Sequence, residues 1–434
     1  MARPPHAKRR PRPPGPPAGP PADLRPVELS IEAMGLQGDG VAAGPVYVPL
    51  TLPGERVSAR VQGDRGELEA VLAPSPQRVE PSCPHFGACG GCALQHWDHG
   101  AYLAWKVDQL ARTLARERIE THIVPAFAAA PGRRRRLALH ARRGPGGVAV
   151  GYKARRSWSL VPVEACPIAD PRLVAAFPAF RRLAAPLFEH PKSAPTLHVT
   201  LTATGIDVDV TGVEQKSGGL SADARVRVAE AAAAADLARV SLSGEILYQA
   251  RAPVVRIGQA GVALPPGAFL QAVPEAEAAM ADFALEALSG AGQAADLFCG
   301  VGTFAFRLAQ TCRVTAIDGD APAVAALKAA LGTAPALKPI AAEARDLFRR
   351  PLLAAEMKRL DAVLFDPPRA GALDQAREIA RSAVPLAIGV SCNPATFARD
   401  AAVLVEGGFR LAKLLPVDQF LWSPHIEVVG VFVR

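Results

Sequence analysis

The sequence predicts an α/β protein. A doubly wound, Rossmann-like C-terminal domain follows a small β-barrel and a β-rich middle region. Three observations carry this reading. After residue 270, apolar strand candidates at 293–298, 313–317, 361–365 and 386–390 alternate with helix-like stretches. That alternation indicates a parallel sheet covered by helices on both faces. Near the start, glycines at 35, 38, 40, 44, 54, 63 and 66 separate short β-like runs. Strands at about ten-residue spacing read as a small barrel, a shape that often binds oligonucleotides. Between the two, runs at 137–141, 197–201 and 206–210 read as strands.

The elements follow in order. Residues 1–22 hold nine prolines, five Lys/Arg and no acid. Such a segment cannot bury apolar area, so residues 1–24 are expected to form a disordered basic tail. Val27-Glu28-Leu29-Ser30-Ile31-Glu32 alternates apolar and polar residues, as a half-buried strand does. Residues 98–120 read as a helix, with Leu103, Val107, Leu110 and Leu114 at helical spacing.

Composition narrows the class. The chain has 434 residues, enough for two to four domains, and is 50% apolar and 21% charged. No uncharged apolar run of about 18 residues occurs, so no spanning helix is expected. The basic N-terminus lacks a following apolar segment, so it does not read as a secretory signal. The net charge of +8 is uneven. Residues 1–160 carry 23 Lys/Arg against 13 Asp/Glu, a net of +10, and the remainder 26 against 28, a net of −2. A basic front half on a neutral back half fits an anionic polymer held by one part and chemistry done by the other. Arg133-Arg134-Arg135-Arg136 reads either as a phosphate grip or as a solvated edge.

Seven cysteines include one tight cluster, Cys83-x5-Cys89-x2-Cys92, and point to reduced thiols in a cytoplasm. Gly90 and Gly91 let the backbone wrap closely around a metal centre. Cys166 is the best candidate for a fourth ligand. Three close thiolates and a remote one suit a cubane iron–sulfur cluster better than zinc, which prefers two Cys-x2-Cys pairs.

Asp296-Leu297-Phe298-Cys299-Gly300-Val301-Gly302-Thr303 joins a strand to a helix, and Gly300 and Gly302 permit close approach of a ligand. Asp318 ends the next strand, where a carboxylate can accept both ribose hydroxyls. The loop lacks the third glycine of a dinucleotide site and has no phosphate-loop lysine. A cofactor with a ribose but no pyrophosphate fits, which points to S-adenosylmethionine. Three later segments bear chemistry: Asp366-Pro367-Pro368-Arg369 and Ser391-Cys392-Asn393-Pro394, each after a strand, and His425-Ile426-Glu427. A thiol and two carboxylates on the rim of a nucleoside site indicate covalent catalysis, provided that the sheet brings them together.

Phe269-Leu270-Gln271, the 296–303 loop, Asp366–Arg369, Ser391–Pro394, Thr396 with Arg399-Asp400, and His425–Glu427 together resemble the uracil-C5 RNA methyltransferase family, which makes 5-methyluridine. Residues 25–80 resemble its TRAM barrel. The resemblance spans about residues 25–434. It implies a class I methyltransferase domain, Cys392 as nucleophile and Glu427 as base. It also implies Gln271, Phe298, Gly300, Thr303, Asp318, Asp346 and Asp366 around S-adenosylmethionine, and Cys83, Cys89, Cys92 and Cys166 around a 4Fe–4S cluster. Glu343 competes with Asp346 for the adenine. The expected domains are a TRAM-like barrel at 25–80, a central iron–sulfur and RNA-binding domain at 81–97 and 130–268, and a methyltransferase domain at 98–129 and 269–434. Lowering the thiol pKa from about 8.5 to about 7 would gain only roughly 16-fold in thiolate, so orientation must supply much of the rate.

Two features depart from the family pattern. Val273 stands where an asparagine is usual, and 321–337 lacks the usual asparagines. The expected partner is RNA, with 23S ribosomal RNA as the leading substrate and transfer RNA as the alternative, handled by a cytoplasmic monomer. A non-catalytic RNA-binding iron–sulfur protein and a cytosine-C5 enzyme are the competing readings. The latter typically has a cysteine beside the Asp366-Pro367-Pro368 motif, which is absent here.

Overall fold

The computed structural model describes residues 24–216 and 218–434. The expected basic tail, apart from Leu24, lies outside the described residues. The strands Val27–Met34, Asp39–Ala42, Val46–Pro49, Arg56–Gln62 and Arg65–Ala73 close into a five-stranded barrel. Its core is Ile31, Ala42, Val48, Val57 and Ala59, the inward residues of the alternating runs. Closure pairs every strand edge. Arg155 and Arg156 of the middle region reach Asp39 of the barrel at 2.8 and 2.7 Å and tie the two together.

The middle region is a seven-stranded sheet. Its central strands are Arg136–Gly144, Thr196–Thr202 and Gly205–Thr211. Strand alternation puts Leu137, Leu139, Leu197, Val199, Val208 and Val210 on one face, beneath the helices Phe177–Ala184 and Ala222–Ala234. The hairpin Val254–Ile257 and Ala260–Ala263 packs differently. Val255, Ile257 and Val262 join the C-terminal core, so the packing boundary falls before the expected residue 268.

The C-terminal sheet runs in the order Ile340–Ala344, Arg313–Asp318, Gln293–Leu297, Ala362–Phe365, Leu386–Ser391, Glu427–Val433, Arg410–Asp418. The first five are parallel, as the alternation predicted. Only Glu427–Val433 is reversed: it is antiparallel to both neighbours, so Arg410–Asp418 runs with the first five. Only eight residues, 419–426, join the last two strands. A parallel crossover needs a dozen or more, so the chain must turn back as a hairpin. This reversal decides the site. Parallel strands end at one rim, and a strand running the other way begins there. Ser391 therefore faces Val428 in register, and Glu427 opens its strand beside the end of Leu386–Ser391.

The helix His99–Arg116, capped by Asp98, packs Leu110 and Leu114 into this domain's core. The short strand His122–Ile123 that follows it pairs with Arg410–Asp418. One turn apart on the helix, Tyr102 and Lys106 point at the final hairpin. Lys106 Nζ lies 2.7 Å from Asp418 Oδ1, with both side chains buried. Nζ also donates to the Phe420 carbonyl at 3.3 Å, and Trp422 N donates to the Tyr102 hydroxyl at 3.3 Å. The helix thereby holds the turn 419–426 in place.

Candidate active site

The glycine loop shows why each glycine stands where it does. At Gly302, φ is +96°, and a Cβ would lie 2.8 Å from the Phe306 ring; this glycine admits the helix that follows. At Gly300, φ is +53° and a Cβ would meet nothing within 4 Å, so this glycine leaves open space at the strand ends. Phe298 also has a positive φ, +62°, a strained value for an aromatic residue that turns the chain outward. Asp318 ends its strand with Oδ2 accepting from Gly300 N at 2.8 Å and Oδ1 from Asp320 N at 2.7 Å. Below the loop, Asp296 is fully buried. Burial pushes its carboxyl up to about 8, which makes it a neutral acid near pH 7.

Gln271, Phe298, Gly300, Thr303, Asp318, Asp346, Asp366, Cys392 and Glu427 all line one cleft of about 740 Å³. Glu343 does not line it. Asp346 Oδ1 accepts from Phe348 N at 3.0 Å, and Phe348 packs its exposed ring against Phe298 with centroids 5.4 Å apart. Motif residues beyond the cleft hold its wall. Asn393 Nδ2 and Thr396 Oγ1 donate to the Arg369 carbonyl at 3.1 and 3.3 Å. Asp400, paired with Arg399 at 2.6 Å, accepts from Ala372 N at 2.6 Å. The loop after Asp366 is thus pinned to the helix after Cys392.

Burial disfavours charge on all three acids at the rim, and the Glu427 charge disfavours it further on the other two. Burial, then the Glu427 charge, hold Asp366 well above the usual carboxylate range. Burial pushes Glu427 up to about 7, against a hydrogen bond from Gln419. Burial, then Glu427 and Asp366, push the Cys392 thiol up to about 11, with Arg369 opposing. The resting thiol is therefore less acidic than a free one, opposite to the lowered value that simple activation would give. A hydrogen-bonded chain joins the carboxylates. Gln271 Nε2 donates to Asp366 Oδ2 at 3.1 Å. Gln419 Nε2 donates to Gln271 Oε1 at 2.7 Å and to Glu427 Oε2 at 2.8 Å. Sequence reading missed Gln419 and Phe348. The available signals were a polar residue inside the apolar run 414–422 and an aromatic residue two places after Asp346.

The arginine run turns inward. Arg135 donates to the Gln271 carbonyl at 3.0 Å and pairs with buried Glu277 at 2.6 Å. Arg136 donates to the Leu270 carbonyl at 2.6 Å, and its guanidinium lies 5.0 Å from the centre of the exposed Phe269 ring. Arg133 pairs with Glu275. Arg134 donates to the Arg136 carbonyl at 2.9 Å. Arg135 and Arg136 clamp the segment that carries Gln271, while Arg133 stays half-exposed and Arg134 and Arg136 line the cleft. Val273 caps the helix Pro274–Ala287 without a side-chain hydrogen bond, so the departure noted there leaves an uncapped helix start.

Cys83, Cys89, Cys92 and Cys166 line a second cavity of about 290 Å³, with Arg134 and Phe420 in the wall that it shares with the cleft. Gly90 N donates to the Lys153 carbonyl at 2.9 Å, where a Cβ on Gly90 would lie 2.7 Å from that oxygen. Burial pushes the Cys92 thiol up to about 12 and raises Cys89 and Cys166. Among the described residues, no group of three or more His, Cys, Asp or Glu is placed to hold a metal ion, the four cysteines included.

The family profile described as tRNA (Uracil-5-)-methyltransferase matches residues 262–434. A Chromohalobacter salexigens protein named 23S rRNA (uracil(1939)-C(5))-methyltransferase RlmD is 32% identical across 94% of this chain and 89% of its own length. The chain belongs to the RNA uracil-C5 methyltransferase family. As a member, it is an S-adenosylmethionine-dependent RNA methyltransferase. A Caulobacter vibrioides protein named as an uncharacterized RNA methyltransferase is 61% identical across 94% of this chain and 100% of its own length. The Pyrococcus abyssi tRNA (uracil-54, C5)-methyltransferase, solved with S-adenosyl-L-homocysteine, shares the fold. Its TM-score is 0.71 over 94% of this chain and 99% of that one, at 22% identity. Among the described residues, no helix is long and apolar enough to cross a membrane.

The two loop glycines are separable. Gly302→Ala is expected to lower the unfolding free energy by about 2–4 kcal/mol, from overpacking plus left-handed strain. Gly300→Ala is expected to cost only about 1–2 kcal/mol of strain while weakening S-adenosylhomocysteine binding at least tenfold. Denaturant melts and calorimetric titration measure the two effects. Equal stability losses, with cofactor affinity intact in Gly300→Ala, would contradict the assignment.

Proposed function

We propose that this enzyme methylates C5 of a uridine in 23S ribosomal RNA through a covalent adduct on Cys392. The observation that carries the proposal is the shared rim. Cys392, Glu427 and Asp366 line the same cleft as the glycine loop and Asp318. When bound, S-adenosylmethionine supplies the methyl group and a sulfonium positive charge. In this reading Asp318 receives the ribose, Phe298 and Asp346 lie by the adenine, and Gln271, Gly300, Thr303 and Asp366 complete the cradle.

Uracil C5 is a poor carbon nucleophile. Once Cys392 has lost its thiol proton to solvent, attack of Sγ on C6 breaks the C5–C6 double bond and places the electron pair on C5 and its conjugated carbonyl. That carbanion takes the methyl group. Glu427 then removes the C5 proton, the C–H electron pair rebuilds the double bond, and the C6–S bond breaks to return the thiolate. The two protein groups suit these halves differently. A carboxylate pushed up to about 7 is a better base at neutral pH than an ordinary one. A thiol pushed up to about 11 is almost wholly protonated at rest, so its attack depends on positioning and on positive charge entering the cleft. A uridine within folded RNA must leave its stack to reach Cys392.

The ribosomal substrate is supported by the 32% identity, across nearly the whole chain, to the protein named for 23S rRNA. The likeness to the transfer-RNA enzyme is one of fold. We assign the barrel as a TRAM-type RNA-holding module and the protein as a cytoplasmic monomer. We also assign Cys83, Cys89, Cys92 and Cys166 to a 4Fe–4S cluster. In its support, the donor set is all cysteine and the four thiols line one cavity. Its place in the fold suits a structural role.

A gel-shift assay tests the covalent step. RNA carrying 5-fluorouridine has no C5 proton to surrender, so with S-adenosylmethionine it should form an adduct that survives denaturation. Cys392→Ala should form none, and 23S fragments should outcompete transfer RNA. Failure of the wild type on both RNAs would refute the covalent mechanism. Preference for transfer RNA would refute only the substrate. For the cluster, anaerobically purified protein should be brown and contain iron and labile sulfide in equal amounts; colourless protein with stoichiometric zinc would overturn that assignment.

A further inference from the structure

The hydrogen bonds around Gln419 have one consistent direction. Ala272 N donates to Gln419 Oε1 at 3.1 Å, so the opposite end of the carboxamide is its NH2 group. That group has two protons and two acceptors, Gln271 Oε1 at 2.7 Å and Glu427 Oε2 at 2.8 Å. Turning the amide over would set N–H against the Ala272 N–H, and oxygen against two oxygens. Gln271 is fixed in consequence: its oxygen accepts, so its nitrogen donates to Asp366. Gln419 is only 3% exposed, so water cannot easily take its place. Among the described residues, Gln419 supplies the one side-chain hydrogen bond to Glu427.

The surroundings of Glu427 make that bond count. Asp366 and Cys392 face it from neighbouring strand ends, and its charge raises both. Asp296 and Asp318 add to the negative field at Asp366. Arg369 stands toward the thiol. Lys106, behind the turn, is closed in its own pair with Asp418. A neutral donor is what remains to favour the ionised carboxylate.

We propose that Gln419 is a positioning residue for the second half of the reaction: locked by the Ala272 amide, it keeps Glu427 aimed into the cleft and ionised for removal of the C5 proton. The proposal rests on the reading of Glu427 as the base. It assigns Gln419 no contact with the methyl group or the uracil. Its effect falls on elimination, in which Glu427 gains the proton, the C5–C6 double bond re-forms and Cys392 leaves as thiolate. Losing the donor disfavours the ionised base, so elimination at neutral pH slows and its pH midpoint moves up.

The experiment is single-turnover methylation of ordinary 23S RNA fragments, quenched into denaturant, over a pH series. It follows the covalent adduct and the released methylated RNA. Gln419→Met keeps length and removes both donors. Gln419→Glu keeps length and an acceptor for Ala272 N, and sets a second carboxyl against Glu427. Relative to adduct formation, release should slow by roughly tenfold to a hundredfold in Gln419→Met, the range for a hydrogen bond to a charged group. The midpoint should rise by about one unit or more, further in Gln419→Glu. Either variant, if folded by its melt, serves. Release at the wild-type rate with an unmoved midpoint overturns the proposal. So does equal slowing of formation and release with an unmoved midpoint, the signature of a merely structural role. Glu427→Gln, run alongside, separates the levels. If it accumulates adduct while the Gln419 variants do not, only the Gln419 assignment falls; if it releases product normally, the base assignment falls and takes this one with it.

Discussion

The site is governed by one electrostatic constraint: a thiol and two carboxyl groups share a desolvated rim, and they cannot all be charged at once. Burial raises all three, the Glu427 charge raises the other two, and Asp366 adds to the rise at Cys392. Cys392 is pushed to about 11 and Glu427 to about 7, while Asp366 is held well above its usual range. The resting rim is therefore a protonated thiol beside a half-titrated carboxyl. At pH 7 a thiol near 11 is ionised to only about one part in ten thousand. A solvent-exposed arrangement would ionise freely but would give up the low dielectric in which one arriving positive charge has a large effect.

Much of the remaining structure keeps that rim assembled. The antiparallel last strand delivers Glu427 to the parallel strand ends. Arg399 and Asp400 pin the loop after Asp366. Two buried ion pairs brace the back. Lys106–Asp418 fixes the turn that carries Gln419, and Arg135–Glu277 fixes the segment that carries Gln271. Such pairs add little net stability compared with apolar replacements, yet removing one partner strands a buried charge at about 3–5 kcal/mol. Their value here is geometric. Arg135 thus serves the site from within.

Most of the strands were legible because apolar runs between turn signals survive in any context. The glycine loop and the 366–369 and 391–394 segments were legible because each follows a strand end, whereas His425–Glu427 leads into one. Direction was not. Periodicity is the same for a strand read either way, so the reversal at 419–426 escaped notice, although an eight-residue connection already forbids a crossover. The inward turn of Arg135 was not legible because a charge run is usually solvated; the acid that pairs with Arg135 is 142 residues away. Gln419 was invisible for the same reason, since Gln271, which gives it meaning, is 148 residues distant. Val254–Ala263 was assigned to the wrong core because a short hairpin carries no mark of the surface on which it packs.

The central claim is that the rim suppresses its own thiol. Alkylation of Cys392 by iodoacetamide, quantified on its peptide by mass spectrometry across a pH series, reads the thiol's ionisation directly. The account requires a midpoint near 11 in the unliganded enzyme and a lower one in Glu427→Gln, where a neighbouring negative charge is gone. A wild-type midpoint at or below the ordinary thiol value of about 8.5, unmoved by that substitution, would contradict it.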